Sequence, residues 1–131
     1  MYNKFMKHTA RILIVEDEVL LAKAMAEKFT REGFETLIAK DGKEGLASAL
    51  ENHPDLIILD IIMPIMDGIE MLKKLRGDKW GEHAKVILAT NLSDTEKIAE
   101  AVELSVFDYY IKADLEIDEL VERVRKKLQA K

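Results

Sequence analysis

Cysteine is absent from the 131 residues, and no apolar run is long enough to cross a membrane. The lack of thiols excludes disulfides, thiolate zinc sites and cysteine nucleophiles, and it is compatible with a reducing cytoplasm. A membrane-spanning helix needs about 20 apolar residues, whereas the apolar run 56–59 is ended by Asp60. Residues 1–9 lack the apolar core and cleavage site of a signal peptide. We therefore expect a cytoplasmic protein without membrane insertion.

Positive charge is outnumbered by negative charge, with 20 Lys and Arg residues against 25 Asp and Glu residues. The formal net charge is -5, and no segment gathers the Lys and Arg residues that a nucleic-acid surface requires. Direct binding to nucleic acid is therefore not expected. A hydrophobic share of 48% and a charged share of 34% are typical of a globular protein. We expect a flexible tail over residues 1–9 and one domain over residues 10–131.

The sequence does contain five short apolar runs, each followed by a longer amphipathic stretch. The runs predict β-strands and the stretches predict helices, because their apolar residues recur at strand and helix periods. The predicted strands are 11–15, 36–39, 55–60, 85–89 and 108–111. The predicted helices are 19–32, 42–52, 69–76, 93–104 and 117–129. Strands separated by helices favour an α/β fold with a doubly wound, open parallel sheet.

Two details of the predicted helices can be compared with the structure. In the second helix, Leu46, Ala49 and Leu50 are expected to face inward. In the fourth helix, Ser93 is expected to be the N-terminal cap, and Glu96 completes a capping box with it.

Polar side chains stand at the carboxyl ends of four predicted strands. They are Glu16 and Asp17 after the first, Asp60 after the third, Thr90 after the fourth and Lys112 after the fifth. In open parallel sheets these strand ends line the functional site. Three gathered carboxylates repel one another, and Mg²⁺ is the cation that suits a small cluster of oxygen ligands.

Phosphoryl transfer to a carboxylate is the chemistry that this set of residues favours. Asp60 is the best-placed acceptor because it ends the most apolar strand. Lys112 would supply positive charge and Thr90 a hydroxyl donor to the phosphoryl oxygens.

The chain resembles the receiver domains of response regulators in two-component signalling, in particular single-domain, chemotaxis-regulator-like members. Four segments in matching order carry the resemblance: Val15-Glu16-Asp17, Leu59 to Gly68 (LDIIMPIMDG), Ala89-Thr90 and Tyr109-Tyr110-Ile111-Lys112. The resemblance implies a flavodoxin-like (βα)5 fold with strand order 2-1-3-4-5. It covers nearly the whole chain after Thr9.

The resemblance also implies a role for each matching residue. Asp60 corresponds to the phosphoacceptor, Asp17 to a direct metal ligand, and Glu16 to an acidic partner that reaches Mg²⁺ through water. Ile62 would offer its backbone carbonyl to the metal. Thr90 corresponds to the switch hydroxyl and Tyr109 to the aromatic switch residue. Lys112 corresponds to the lysine that family members carry at the end of the fifth strand.

The resemblance further implies partners and a switching mechanism. A histidine kinase or phosphotransfer protein would donate the phosphoryl group, and the domain would catalyse its own phosphorylation and dephosphorylation. The added charge would draw Thr90 and Lys112 inward and change the face formed by the fourth helix, fifth strand and last helix, which a downstream protein senses.

Two departures from the family pattern affect these expectations. Ala113 follows Lys112 where the family commonly has a cis proline, so this peptide bond is either trans or a strained cis bond. Ile62 and Leu92 are apolar and cannot orient a hydrolytic water, so we expect slow self-dephosphorylation.

Three alternatives remain open from the sequence. A Mg²⁺-dependent phosphohydrolase would need a second Asp as acid-base where Ile62 stands. A flavodoxin-like cofactor binder would need amide donors where Glu16 and Asp17 stand. An inert receiver-like scaffold for protein contacts is the third, although the presence of acceptor, metal ligand, hydroxyl and lysine together disfavours it. The acidic pair Glu16-Asp17 alone would also be typical of a helix N-terminus.

Overall fold

The computed structural model describes residues 9–91 and 93–130, and in these ranges five strands alternate with five helices. The strands are β1 (Arg11–Val15), β2 (Glu35–Ala39), β3 (Leu56–Asp60), β4 (Val86–Thr90) and β5 (Tyr109–Ile111). The helices are α1 (Val19–Arg31), α2 (Gly42–Asn52), α3 (Gly68–Arg76), α4 (Thr95–Glu103) and α5 (Ile117–Gln129). The predicted alternation is confirmed, with boundaries that differ by one or two residues. The expected tail falls almost wholly outside the described residues, as does Leu92.

The five strands form one parallel sheet in the order β2-β1-β3-β4-β5. Neighbouring strands are in register across the middle of the sheet, with Val15 beside Leu59 and Asp60 beside Ala89. The chain reverses its direction of travel across the sheet between β1 and β3, which is where open α/β sheets place their functional sites. The strand order and the doubly wound fold are confirmed.

Alternate residues of each strand face opposite sides of the sheet, so the core has two layers. One layer packs the sheet against α2, α3 and α4, and the other packs it against α1 and α5. Strands β3 and β4 are buried at every position, as expected for parallel strands covered on both faces. Asp60 and Thr90 therefore end strands that are fully enclosed.

The predicted inner face of α2 is partly wrong. Ala49 is buried, but Leu50 is 37% exposed, and Gly45 takes the inward position instead. A Cβ atom on Gly45 would lie 2.8 Å from Cγ1 of Val15. Helix α2 therefore approaches β1 more closely than a larger side chain would permit, and this contact turns Leu50 toward solvent.

The predicted start of α4 is also wrong. The N-cap is Asp94 rather than Ser93, and its side chain accepts no hydrogen bond from the helix. Helix α4 buries only Ala101 and is tied to α3 by an ion pair between Lys73 and Glu100 at 3.5 Å. Both side chains of this pair are largely exposed, so the ion pair contributes little, and α4 is held by few buried contacts.

None of the helices in the described ranges has the length and hydrophobicity required of a membrane span.

Candidate functional site

Four side chains meet at the carboxyl edge of the sheet because each ends or directly follows a parallel strand. Glu16 follows β1, Asp60 and Thr90 end β3 and β4, and Lys112 follows β5. Glu16, Asp60 and Thr90 are buried, with relative exposures of 3%, 4% and 1%. Ion pairs join Glu16, Asp60 and Lys112, and Thr90 ends the strand beside Asp60.

Lys112 joins the two buried carboxylates. Its Nζ lies 3.0 Å from Oε1 of Glu16 and 3.1 Å from Oδ2 of Asp60. The exposed carboxylate of Glu18 lies farther away, at 4.0 Å. One ammonium thus serves two buried carboxylates, which leaves the pocket with excess negative charge. The Lys112-Ala113 peptide bond is trans, as are all the other described peptide bonds.

The electrostatics of the pocket follow from burial and from this shared cation. Burial, and next the charge of Glu16, raise the pKa of Asp60 to about 7, although Lys112 opposes the shift. Burial disfavours the charged form of Lys112, but hydrogen bonds to Glu16 and Asp60 outweigh it and raise the pKa of Lys112. Asp60 is therefore a carboxylate whose charge needs further compensation.

The donor set fits a divalent cation. One carboxylate oxygen each from Glu16, Asp17 and Asp60 lies within 4.8 Å of the others. Asp17 is exposed at the rim, whereas the other two are buried. Hard oxygen donors are the ligands that Mg²⁺ prefers. The sequence-predicted acidic residues are therefore together, and their chemistry suits this metal.

The hydroxyl of Thr90 is bonded within the loop that follows β4. It donates to the backbone oxygen of Asn91 at 3.0 Å and to Oδ2 of Asp94 at 3.2 Å. Tyr109 is 44% exposed, and its carbonyl accepts a hydrogen bond from Arg123 at 2.8 Å. The Thr90 hydroxyl and the Tyr109 backbone carbonyl thus have hydrogen-bond partners other than Asp60.

The loop after Asp60 is tightly folded. Met66 N–H donates to the carbonyl of Pro64 at 2.7 Å, and the intervening Ile65 has a φ of 70°. Such a conformation is strained for a β-branched residue. Ile65 is 77% exposed and Ile62 is 51% exposed, so this loop presents apolar side chains beside the pocket.

Sequence reasoning did not assign two residues that shape the site. A Cβ atom on Gly68 would lie 2.2 Å from the carbonyl oxygen of Asp60, so only glycine permits the close approach of α3 to the end of β3. Asp94 binds the Thr90 hydroxyl. Gly68 lies in the segment that carries the family resemblance, but no sequence pattern indicates the role of Asp94.

The sequence model of the response regulator receiver domain family matches residues 12–125. The chain belongs to this family. The receiver domain is 35% identical to sporulation initiation phosphotransferase F of Bacillus subtilis, across 92% of this chain and 95% of that protein. It is 40% identical to the regulatory protein AtoC of Escherichia coli, across 91% of this chain.

Solved structures give the same assignment. The receiver domain of Francisella response regulator 1452 matches with a TM-score of 0.81 at 35% identity, covering 92% of this chain and 98% of that one. A response regulator receiver domain protein of Methanospirillum hungatei matches with a TM-score of 0.85 at 28% identity, covering 92% and 94%.

The lengths of the relatives differ. This chain spans 25% of AtoC and 51% of a mycobacterial DNA-binding response regulator, MtrA, but 95% of the Bacillus protein. The matches thus show the family, the fold and the class of protein, which is the response regulators of two-component signalling.

Proposed function

We propose that this receiver domain is a phosphorylation-dependent signalling switch in which Asp60 accepts a phosphoryl group from a phosphohistidine of a partner kinase or phosphotransfer protein. The observation that carries the proposal is the buried Asp60 carboxylate, held 3.1 Å from Lys112 Nζ and beside two further carboxylates. This arrangement offers both a nucleophile and a fixed positive charge.

In the proposed reaction, a carboxylate oxygen of Asp60 attacks phosphorus. An oxygen–phosphorus bond forms while the nitrogen–phosphorus bond breaks, and its electron pair returns to the imidazole. The Lys112 ammonium moves from pairing with the Asp60 carboxylate to pairing with phosphoryl oxygens, which balances the charge that the group carries. Thr90 donates its hydroxyl to another of these oxygens.

Mg²⁺ is the proposed cofactor. Asp17 and Asp60 would bind it directly, Glu16 through water and Ile62 through its backbone carbonyl. When bound, the ion supplies positive charge that offsets the negative oxygens of the transferring group. Excess negative charge in the Glu16, Asp60 and Lys112 cluster supports this assignment.

The surface beside the pocket supports docking of a phosphodonor protein. Leu20, at the start of α1, is 83% exposed, and Ile65 is 77% exposed. Both lie in segments at the carboxyl edge of the sheet, as does Ile62. Exposed apolar side chains of this kind often mark a site of contact with another protein. A cytoplasmic setting, where kinase and receiver domain would meet, is part of the proposal.

The output surface is proposed to be the face formed by α4, β5 and α5. Val102, Phe107 and Tyr109 are 46%, 70% and 44% exposed there. Phosphorylation would draw Thr90 toward the phosphoryl group and leave room for Tyr109 to turn inward. The populations of two states of this face would then report the phosphoryl group to a downstream protein.

Intact mass measurement tests the proposal. Incubation with acetyl phosphate and Mg²⁺ should add one phosphoryl mass to the wild type, and EDTA should prevent the addition. Asp60→Asn should abolish it, because an amide cannot form the acyl phosphate. Glu51→Gln, which alters an exposed carboxylate on α2, should phosphorylate like wild type.

A wild type that gains no phosphoryl group, either from acetyl phosphate or from a panel of phosphorylated histidine kinases, would instead support an inert interaction scaffold.

A further inference from the structure

Asp94 stands at the N-cap of α4, but its carboxylate points to other donors. Oδ2 accepts the Thr90 hydroxyl at 3.2 Å and the Asn91 N–H at 3.1 Å. No N–H of α4 donates to this side chain. The first turn of α4 therefore lacks the hydrogen bond that an aspartate at this position ordinarily supplies.

Two other helices of this chain show the ordinary arrangement. Asp41 caps α2 by accepting from Glu44 N–H at 2.8 Å, and Asp67 caps α3 by accepting from Glu70 N–H at 2.8 Å. Each donor is the amide three residues after the cap. The equivalent donor for Asp94 is the N–H of Lys97 in the first turn of α4.

The two donors that Asp94 binds directly follow the residue that pairs with Asp60 in the sheet. Ala89 pairs with Asp60 across β3 and β4, and Ile61 N–H donates to the Ala89 carbonyl at 3.1 Å. Thr90 and Asn91 come next along the chain from Ala89. A phosphoryl group on Asp60 carries about two negative charges and three acceptor oxygens. It would compete with the Asp94 carboxylate for both donors.

We infer that Asp94 is a positioning residue that exchanges partners on phosphorylation. Before phosphorylation it binds the Thr90 hydroxyl and the Asn91 N–H and leaves α4 uncapped. When the phosphoryl group takes these donors, Asp94 turns to cap α4 through the N–H of Lys97. The inference rests on the proposed function, because it concerns how the same site is regulated.

The packing of α4 makes such a cap consequential. Ala101 is the residue that α4 buries, and Lys97 in its first turn is paired with Asp67 at 3.3 Å. Because few apolar contacts fix this turn, a single hydrogen bond changes its order appreciably. The exchange would therefore connect the phosphoryl site to the N-terminal end of the output face.

Amide hydrogen exchange of Lys97, followed by NMR, tests the inference. Loading wild type with Mg²⁺ and beryllofluoride, a phosphoryl mimic, should slow this exchange about fivefold, the equivalent of a cap worth about 1 kcal/mol. The Glu44 amide is the internal control, since Asp41 already accepts it and its exchange should not change. In Asp94→Ala, beryllofluoride should bind but leave the Lys97 exchange rate unchanged. Asp94→Asn retains an acceptor oxygen and should restore the slowing.

A second variant tests the exchange without any phosphoryl mimic. Thr90→Val keeps the shape of the buried side chain but removes one of the two donors, so Lys97 exchange should slow about twofold in the free protein. Unchanged Lys97 exchange in this variant would overturn the inference. Slowing in loaded wild type that persists in Asp94→Ala would also overturn it, since another acceptor would then cap the helix. If wild type takes up neither beryllofluoride nor phosphoryl group, the proposed function fails, but the Thr90→Val comparison still decides the partner exchange.

Discussion

At the scale of single residues, the Asp60 carboxylate lies where its charge is disfavoured. It is 4% exposed, and it shares the Lys112 ammonium with Glu16. A divalent cation bound at this site would relieve the excess negative charge. The consequence for the free protein is lower stability when Asp60 ionises.

The raised pKa of Asp60, about 7 against an ordinary 3.8, predicts a pH-dependent stability in metal-free buffer. Between these values the folded state holds a proton that the unfolded state releases, so the free energy of unfolding falls as pH rises. Asp60→Asn removes this loss. In urea titrations with EDTA, it should raise the free energy of unfolding by about 2 to 4 kcal/mol at about pH 8, and by less than half as much at about pH 5.

The matched control for this prediction is Glu51→Gln, which also neutralises a carboxylate but on the exposed surface of α2. It should change the free energy of unfolding by no more than about 0.5 kcal/mol at either pH. Equal stabilisation by Asp60→Asn at the two pH values would show that the pKa of Asp60 is not raised in the folded state.

Most residues of the site could be predicted from the sequence because each stands at the end of an apolar run. Strand periodicity alone places Asp60, Thr90 and Lys112 at one edge of a parallel sheet. The contact of Asp94 with Thr90 could not be predicted, because it depends on the path of the loop after β4. The trans geometry of the bond after Lys112 could not be predicted either, because it depends on the path of the loop after β5.

At the scale of elements, Arg76 joins segments that are separate in sequence. From the last position of α3, its guanidinium donates to the carbonyls of Gly81, Ala84 and Leu104 at 2.7, 2.9 and 2.8 Å. Burial lowers the pKa of Arg76. The three carbonyls lie in the α3–β4 connection and after the end of α4. Arg76 therefore helps position the segment that leads into β4 and the end of α4, which follows β4 in the chain.

Arg76→Met retains the aliphatic stem of the side chain but leaves three carbonyls without their charged donor. We expect the free energy of unfolding to fall by about 2 to 4 kcal/mol in urea titrations. Arg76→Lys should lose part of this, since one ammonium lacks the fork geometry of a guanidinium. Lys74→Gln, on the exposed side of the same helix, is the control and should alter stability little. A loss in Arg76→Met no larger than in this control would remove Arg76 from its proposed structural role.

The type and order of the elements were predictable because strand and helix periods differ clearly in this sequence. The orientation of α2 was not, because it is set by the fit of Gly45 against Val15 rather than by the largest apolar side chains. The start of α4 was mispredicted because Ser93 and Asp94 are both good N-caps, and Asp94 is the one that also reaches Thr90. Contacts between elements thus determine the orientation of α2 and the start of α4, which the local sequence pattern does not determine.

At the scale of the whole molecule, the fold concentrates negative charge at one edge of the sheet. The formal net charge of -5 adds a general repulsion to the local one among Glu16, Asp17 and Asp60. The central strands β1 and β3 supply these residues, so the repulsion acts on the middle of the sheet. Binding of a divalent cation at this edge should therefore stabilise the entire domain.

Mg²⁺ at about 100 times its dissociation constant should raise the free energy of unfolding by about 2.7 kcal/mol. The urea midpoint should shift without a change in slope, because the surface exposed on unfolding stays the same. At one fixed Mg²⁺ concentration the gain should be greater at about pH 8 than at about pH 5, since proton release accompanies binding to carboxylates and weakens binding at the lower pH. Asp17→Asn should lose most of it, whereas Glu51→Gln should retain it.

NaCl of equal ionic strength separates site binding from screening of the net charge. If NaCl reproduces the Mg²⁺ shift in wild type, or if Asp17→Asn retains it in full, the acidic cluster is not the Mg²⁺ site.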